Sequence, residues 1–325
     1  MTMPFAVRLR AHAAGMEALA ERVIAGSRAP EDLLALADAP LPLLGAIVAG
    51  VAPKEAAVVG LLPVQLGADV NETVRKALAH RAAPEAEAIE LSARAPCITG
   101  ALDQACEVVR RLLAEMPGAT ARVDEASLHA LAAGAGVSPE GAASRLHQAG
   151  VALITAPRIP GASHLRILGK EEQPVAAGPI GPIPLRESWE VPSRIDERFV
   201  AALLAGDRRP LFLRASRDTT GIVLLRAVAL ARLAGHGPIA VGGDAELKGP
   251  DACLSFGADT LEAELDPAGS FGSRNRAYGE AAIRGAQLRL VPPRRRMTPE
   301  KKGAHILDEK VDPSLLPGGE AEEIH

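Results

Sequence analysis

The sequence predicts an α/β fold with parallel strands, either a (β/α) barrel or a doubly wound sheet. After Pro53, short apolar strands alternate with helices along most of the chain. Strands separated by helices pair in parallel through right-handed crossovers. Hydrophobic residues make up 48% of the 325 residues, enough for a large core, although aromatic residues make up only 2%. Both folds place ligands at the C-terminal ends of their strands.

The first 50 or so residues predict a layer of helices that precedes the first strand. Apolar residues recur at helical spacing in "GMEALAERVIAG" and in "PEDLLALADAPLPLLGAIVAG". Pro30, Pro40 and Pro42 interrupt this spacing, because proline cannot continue a helix that precedes it. We therefore expect several short helices here rather than one long helix.

The alternating part of the chain begins after this helical layer. Strands are predicted at 56–65, 87–93, 119–125, 151–157, 209–216, 238–243 and 260–265. Helices are predicted at 71–83, 101–118, 194–205, 219–234 and 249–257, with two more helical pieces within 127–150. Between the fourth and fifth strands, residues 157–192 are rich in proline and glycine, which indicates a long irregular crossing segment.

Polar residues mark the expected starts of several of these helices. Asn71 is a plausible N-cap for the helix that follows the first strand. Ser138, followed by Pro139 at the first helical position, predicts the start of the second piece of 127–150. Asp218 or Thr219 is expected to cap the helix that begins "TTGIVLL".

The net charge of −4 does not identify a partner, but the charge is unevenly distributed. From Arg274 to Lys302, nine basic residues stand against Glu280 and Glu300, a local charge of about +7. The last 23 residues carry about −5. Such an end is either a solvated tail or a docking element for a homo-oligomer or a partner protein. Nucleic acid is disfavoured, because aromatic residues are scarce and the flanking tail is acidic.

The predicted lack of a signal peptide and of a membrane span, together with the three separated cysteines, indicates a cytoplasmic protein. The N-terminal arginines are followed by no uninterrupted apolar run, so we predict no signal peptide. The longest uncharged apolar stretch, from Pro40 to Pro53, is too short to span a bilayer. The three cysteines, Cys97, Cys106 and Cys253, are well separated, which suits a reducing compartment and buried thiols.

Most catalytic motifs are absent from the sequence. There is no phosphate-binding P-loop, dinucleotide fingerprint, nucleophile elbow or H-E-x-x-H zinc motif. The histidines are scattered and the cysteines lack zinc-ligand spacing, so we predict no metal site. No catalytic residue can be assigned from the sequence alone.

Polar residues at the predicted strand ends remain as the one positional indication of a site. In parallel α/β folds these ends gather at one mouth, where small molecules bind. Capping of a helix by Asp218, or a tight turn at Gly242-Gly243, would explain some of them without a ligand. Our candidate ligand-binding residues are Glu90, Arg94, Asp124, Arg214, Asp218 and Asp244. Other polar residues at the same ends are Ser92, Arg122, Thr155, Arg158, Ser216 and Glu246.

Residues 219–265, "TTGIVLLRAVALARLAGHGPIAVGGDAELKGPDACLSFGADTLEAEL", resemble the C-terminal region of one radical SAM subfamily. This subfamily includes aminofutalosine synthase and dehypoxanthine futalosine cyclase of the futalosine route to menaquinone, and the related synthase of the deazaflavin cofactor. The matching residues are Leu225, Ala229, Ala231, Arg232 and Leu233, then Gly249, Pro250, Phe256, Gly257, Ala258 and Asp259.

Two further stretches are similar to the same subfamily. They are "ASLHALAAGAGVSPEGAASRLHQAGV" and the N-terminal "APEDLLALADAPLPLLGAIV". Together the three stretches span most of residues 20–265 in the order of the family. The resemblance implies an incomplete or modified (β/α) TIM-type barrel at 54–270. An N-terminal helical segment at 1–53 precedes it, and a basic then acidic extension at 271–325 follows it.

The sequence departs from the family at its cofactor motifs. The family carries C-x-x-x-C-x-x-C after its first strand, whereas this chain has no cysteine before Pro96. A [4Fe–4S] cluster is held by cysteine thiolates, so we predict no cluster and no cleavage of S-adenosylmethionine. Leu91-Ser92-Ala93 stands where the family has the Gly-Gly pair that docks the methionine moiety, so binding of S-adenosylmethionine is not expected. Segment 157–192 is expected to replace at least one strand–helix unit.

The resemblance and its departures lead to two functional hypotheses. The first is a pseudoenzyme of the futalosine branch, a non-catalytic subunit or scaffold that pairs with an active radical SAM paralogue. The second is a cluster-independent enzyme or a small-molecule binding protein that uses the polar residues of the barrel mouth. Fold alone does not decide between them.

Overall fold

The computed structural model contains a closed barrel of eight parallel strands surrounded by helices, so the predicted TIM-type α/β fold is confirmed. It describes residues 3–67, 69–80, 86–94, 99–158, 165–168, 171–174, 180–205, 210–215, 218–242, 250–264, 280–281, 283–284, 286 and 288–290. Among these residues, no helix combines the length and apolar character needed to cross a membrane.

The barrel strands follow one another around the ring in chain order. The strands are β1 (Glu55–Gln65), β2 (Ala88–Ser92), β3 (Thr120–Asp124), β4 (Val151–Arg158), β5 (Leu165–Leu168), β6 (Glu171–Pro174), β7 (Leu185–Val191), β8 (Leu211–Ala215), β9 (Ile239–Gly242), β10 (Thr260–Glu264) and β11 (Arg289–Leu290). The ring runs β1-β2-β3-β4-β7-β8-β9-β10 and closes through the β10–β1 pairing. Strands β5 and β6 form an antiparallel hairpin next to β4.

Helices connect most of the strands and precede the first one. They are α1 (Phe5–Ala14), α2 (Glu17–Ile24), α3 (Pro30–Ala37), α4 (Leu41–Val48), α5 (Val70–Ala79), α6 (Ala101–Glu115), α7 (Glu125–Ala135), α8 (Pro139–Ala149), α9 (Glu197–Ala205), α10 (Gly221–Ala234) and α11 (Pro250–Ser255). The predicted N-terminal helical layer thus consists of four short helices, and α1, α3 and α4 begin at or next to a proline.

The helix caps agree with the sequence in one case and differ in two. Ser138 caps α8 through a bond from the Gly141 amide, as predicted. Helix α5 begins one residue earlier than its expected cap, because the Asp69 carboxylate accepts from the Asn71 amide at 2.7 Å. Helix α10 is capped by Thr220, not by its two predecessors. A carboxylate or hydroxyl at the N-cap satisfies amides that have no partner within the helix.

Apolar side chains from opposite halves of the ring form two separate cores. The first lies between β7, β8 and β9 and the helices α1–α4, α9 and α10, and includes Leu33, Phe199 and Leu230. The second lies between β2, β3 and β4 and the helices α5 to α8. The N-terminal helices therefore cover the outer face of one half of the barrel with alanine, leucine and valine, which replace aromatic bulk.

Segment 157–192 differs from the sequence prediction, because it contains the eighth barrel strand, β7. Strand β7, "LRESWEV", contains three consecutive polar residues, Arg186 to Ser188, whereas strands of parallel barrels are usually apolar throughout. Along the chain, the β5–β6 hairpin lies between β4 and β7. The described part of the segment therefore contains no helix, but it supplies one strand of the barrel ring.

The beginning of the C-terminal extension belongs to the barrel body. Ile283 is fully buried against Ala56, Val58 and Leu261, on the outer face of β1 and β10. Strand β11 then pairs in parallel with the start of β1. The rest of the basic segment, including Arg294, and the acidic tail lie outside the described residues.

Candidate functional site

Alternation along the strands places charged side chains inside the barrel. In β10, Leu261 packs on the outer face, so Glu262 points inward. Its partners Arg122 and Arg186 lie on β3 and β7, each separated from β10 by two intervening strands of the ring. Side chains that meet across such a separation meet in the lumen. We call Arg122, Arg186 and Glu262 the interior triad.

The N···O distances within the interior triad are short, and its three side chains are almost fully buried. Nη1 of Arg122 lies 2.9 Å from Oε1 of Glu262, and Nη1 of Arg186 lies 2.5 Å from the same oxygen. The three side chains expose 9%, 7% and 3% of their surfaces. The guanidinium of Arg186 also lies 4.7 Å from the centre of the Phe212 ring, a cation–π contact that orients it.

Glu90 adds a second carboxyl group to the same interior. It lies beside Arg122 in the β2–β3 register, and the charges of Arg186, Arg122, Glu262 and Asp124 act on it. Burial raises the pKa of Glu90, and the two arginines only partly oppose this effect. Burial also acts to raise the pKa of Glu262, but Arg186 and Arg122 together outweigh it, so that this pKa is lowered. Two neighbouring carboxyl groups with pKa values displaced in opposite directions are typical of acid–base or ligand sites.

Three polar atoms of this interior have no hydrogen-bond partner among the described residues. They are Oγ1 of Thr155, Nε of Arg186 and Oε2 of Glu262, all in residues that are at least nine-tenths buried. Thr155 and Arg186 are direct neighbours in the β4–β7 register. Buried polar groups are normally hydrogen-bonded, so these three atoms leave hydrogen-bonding capacity in the lumen for water or another polar molecule.

The structure brings together some of the predicted site residues and leaves others at the rim. Glu90 lies close enough to the interior triad for their charges to interact, and Asp124 lies close enough to Glu90 for the same effect. One Asp124 oxygen is engaged by the Ser127 amide at 2.7 Å, as the N-cap of α7. Arg94, Arg214 and Asp218 are exposed. Asp244 lies outside the described residues, and the six-residue ligand site remains a prediction.

Sequence reasoning missed Arg186 and Glu262, and it noted Arg122 and Thr155 only as neighbours of the site. Arg186 was missed because its strand falls in the segment read as irregular. Glu262 lies in the middle of the predicted strand "TLEAEL", where two glutamates alternate with apolar residues. That alternation was the available signal, because a parallel barrel strand with carboxylates on its inner face needs cationic partners across the lumen.

A second buried ion pair lies outside the barrel wall and has a structural role. Nη1 of Arg158 lies 2.8 Å from Glu125 at the start of α7, and its Nε lies 3.9 Å from Glu187 of β7. The Trp189 indole donates to Glu187 at 3.0 Å. These contacts join β4, α7 and β7 on the outer side of the barrel wall.

The residues after β1 do not fit an iron–sulfur cluster. Strand β1 ends at Gln65 and α5 begins at Val70, so only four residues connect them, none of them cysteine. Cys106 and Cys253 are buried in different apolar cores, and Cys97 lies outside the described residues. No three or more His, Cys, Asp or Glu residues in the described chain are grouped so as to hold a metal ion. A cavity of about 290 Å³, lined partly by Gln65, Asp69 and Lys76, lies beside this connection.

One solved structure with a TM-score above 0.5 supports the fold of this chain. It is similar to HydG, a maturase of the [FeFe]-hydrogenase, with a TM-score of 0.53, 11% identity and coverage of 79% of this chain and 71% of that one. Lower scores relate it to a Yersinia pestis DHPS (TM-score 0.39, 16% identity, 72% and 93% coverage). A tryptophan synthase structure from Pyrococcus furiosus scores 0.41, with 14% identity and 73% and 97% coverage. Neither a comparison with protein-family models nor one with curated proteins finds a match.

Proposed function

We propose that the protein binds a small polar molecule inside the mouth of its barrel, without an iron–sulfur cluster. The observation that carries this proposal is the interior triad with its unpartnered atoms. TIM barrels are usually filled by branched apolar side chains. Replacing a buried ion network by apolar residues is often neutral or stabilising, so a fold alone gives little reason to keep one. A ligand that uses the unpartnered atoms supplies that reason.

The proposed function uses a fold like that of radical SAM proteins but does not use radical SAM chemistry. The likeness in fold to HydG, a radical SAM maturase, agrees with the resemblance of residues 219–265 to radical SAM enzymes. The four-residue connection after β1 offers no thiolates. Reductive cleavage of S-adenosylmethionine requires a cluster, so the proposed function depends on the side chains of the lumen alone.

Binding is tested on the full chain by thermal shift against a panel of small metabolites at constant ionic strength. Compounds that raise the melting temperature are then confirmed by native mass spectrometry. Arg186→Lys keeps the positive charge but removes the Nε donor and the planar contact with Phe212, so it should abolish these shifts. Arg110→Lys, on the outer helix α6, is the matched control and should retain them. A panel without a hit, or hits indifferent to Arg186→Lys, would contradict the proposal.

The absence of cluster chemistry is tested separately. The full chain is treated anaerobically with iron and sulfide, reduced, and mixed with S-adenosylmethionine. We expect iron and sulfide well below a stoichiometric cluster, and no 5′-deoxyadenosine. A stoichiometric cluster that produces 5′-deoxyadenosine would overturn this part of the proposal.

A second function is favoured by the sequence resemblance to the futalosine branch. In it, the protein is a non-catalytic subunit or scaffold for an active radical SAM paralogue in menaquinone synthesis. The test is co-expression with an aminofutalosine-synthase-like enzyme from the same genome, followed by size-exclusion chromatography and measurement of menaquinone in a deletion strain. Separate elution of the two proteins together with unchanged menaquinone would exclude this role.

A further inference from the structure

We propose that the ligand of the barrel interior is a small monocarboxylate, held by the Thr155 hydroxyl and the Nε of Arg186. This inference rests on the proposed function and narrows it to one chemical class. It depends on three properties of the lumen: the placement of two free donors, the balance of charge, and one free acceptor.

The two donors lie side by side on neighbouring strands. Thr155 of β4 and Arg186 of β7 are register partners in a parallel pair, and both point away from the outer cores. Each exposes 6% of its surface, and neither Oγ1 nor Nε has a partner among the described residues. Strands of a sheet are about 4.8 Å apart. Both donors therefore belong to side chains that leave neighbouring strands on the same face, where one carboxylate can accept from both of them, and a guanidinium N–H is its preferred strong donor.

The charges of the lumen favour one negative charge. Within the interior triad, Arg122 and Arg186 supply two positive charges and Glu262 one negative charge, so the triad carries one net positive charge. Burial raises the pKa of Glu90, which makes this group harder to ionise, and Asp124 is engaged as the N-cap of α7. The net positive charge of the triad is the one that a ligand would meet. A monocarboxylate neutralises it, whereas a dianion such as phosphate leaves an uncompensated buried charge.

The free acceptor selects among monocarboxylates. Oε2 of Glu262 has no partner among the described residues, although Oε1 of the same group accepts from both arginines. A ligand with a hydroxyl next to its carboxylate satisfies this oxygen, while an unsubstituted acid leaves it unpaired. A buried unpaired acceptor is costly, so hydroxy acids should bind more tightly than simple acids.

The test titrates the full chain with sodium glycolate, sodium acetate, neutral glycolamide and sodium phosphate, each at the same ionic strength. Thermal shift and broadening of the ligand carboxyl ¹³C signal report binding. We expect saturable binding of glycolate, weaker binding of acetate, and no saturable response to glycolamide or phosphate. Thr155→Val, which removes a hydroxyl without a partner in the described chain, should weaken glycolate binding about 10-fold or more.

Two further variants make the result interpretable. Thr155→Ser keeps the hydroxyl and should bind glycolate like the parent protein, even if Thr155→Val proves unstable. Thr260→Val makes the same change in β10, where the hydroxyl donates to Asp259, and should not alter glycolate affinity.

The outcomes separate this inference from the proposed function. Absence of carboxylate binding, or equal glycolate affinity in Thr155→Val and the parent, overturns the monocarboxylate assignment. If neutral or dianionic compounds bind instead and Arg186→Lys abolishes their binding, the proposed function stands with another class of ligand. If no compound of any class binds, both fail.

Discussion

Gly242 gives the Phe212 ring its place in the barrel lumen. A Cβ at this position would lie 2.8 Å from the Glu262 carbonyl oxygen and 2.9 Å from the ring, both closer than real contacts allow. The Phe212 ring in turn makes the cation–π contact with the guanidinium of Arg186. The position of the interior triad therefore depends on a residue that carries no functional group itself.

We predict that Gly242→Ala displaces the Phe212 ring and destabilises the fold by about 1–3 kcal/mol, the usual cost of an overpacked core. The same variant should bind ligand more weakly, because Arg186 loses its stacking partner. Urea unfolding measures the first effect and thermal shift the second. At Gly118, an added Cβ meets nothing within 4 Å, so Gly118→Ala is the control and should stay within about 0.5 kcal/mol of the parent.

Glu90→Gln should stabilise the protein increasingly as the pH rises. The pKa of Glu90 is raised in the folded state, chiefly by burial, above its unfolded value of about 4.3. A group with a raised pKa contributes stability that is complete below the unfolded pKa and is lost as pH rises through the folded pKa. Glutamine cannot ionise and so does not suffer this loss. In urea unfolding from pH 5 to pH 9, the free energy of unfolding of the variant should therefore increase relative to that of the parent protein.

Glu262→Gln, in the same lumen, should have the opposite effect to Glu90→Gln and destabilise the protein at neutral pH. The folded pKa of Glu262 is lowered, so its stabilisation is present above the unfolded pKa and lost as pH falls through the folded one. Removing its charge at neutral pH leaves two buried arginines without a counter-ion, at a cost of about 3–5 kcal/mol. If both glutamine variants changed stability in the same direction at neutral pH, the assignment of the two carboxyl groups would be wrong.

The secondary-structure elements show how far the sequence predicts this fold. Seven barrel strands were predictable because they form short, largely apolar runs between turn residues. Strand β7 was not, since its inward residues Arg186 and Ser188 are polar and its outward Glu187 is bonded to Trp189. Glu90 and Asp124 could be proposed from their places at strand ends. The interior triad could not, because it depends on contacts between strands far apart in sequence.

Ile283 shows that the first part of the extension is an element of the barrel body. It is fully buried against β1 and β10, and Leu288 packs beside it. We predict that Ile283→Ala destabilises the protein by about 2–4 kcal/mol, as for other large-to-small core changes. Chemical unfolding measures it, with Ile222→Ala as control, because Ile222 is 54% exposed on α10. A loss no larger than that of the control would show that this segment is not part of the core.

At the scale of the whole molecule, the barrel ring is closed, although the sequence lacks the cysteine motif that holds a cluster in the family it resembles. The strand order and the helices form a TIM-type barrel, while only four residues connect β1 to α5. The lumen contains the charged and buried side chains of the interior triad. The fold could be predicted from the motifs at 126–151 and 219–265, whereas the interior triad could not, because none of its three residues belongs to the family pattern of those motifs.

The remaining basic segment gives a prediction for the assembly of the whole protein. Arg294, Arg295, Arg296, Lys301 and Lys302 follow β11 and precede an acidic tail. If they dock on an acidic face of a second copy or of a radical SAM paralogue, association should weaken steeply with salt, because exposed charges are screened.

Replacing all five with serine in the full chain should abolish the salt-dependent association, measured by sedimentation at low and high ionic strength. Exchanging arginine and lysine at the same positions keeps the charge and should preserve it. Association that is unchanged in the serine variant would identify the segment as a solvated end, with the contacts between subunits elsewhere on the barrel.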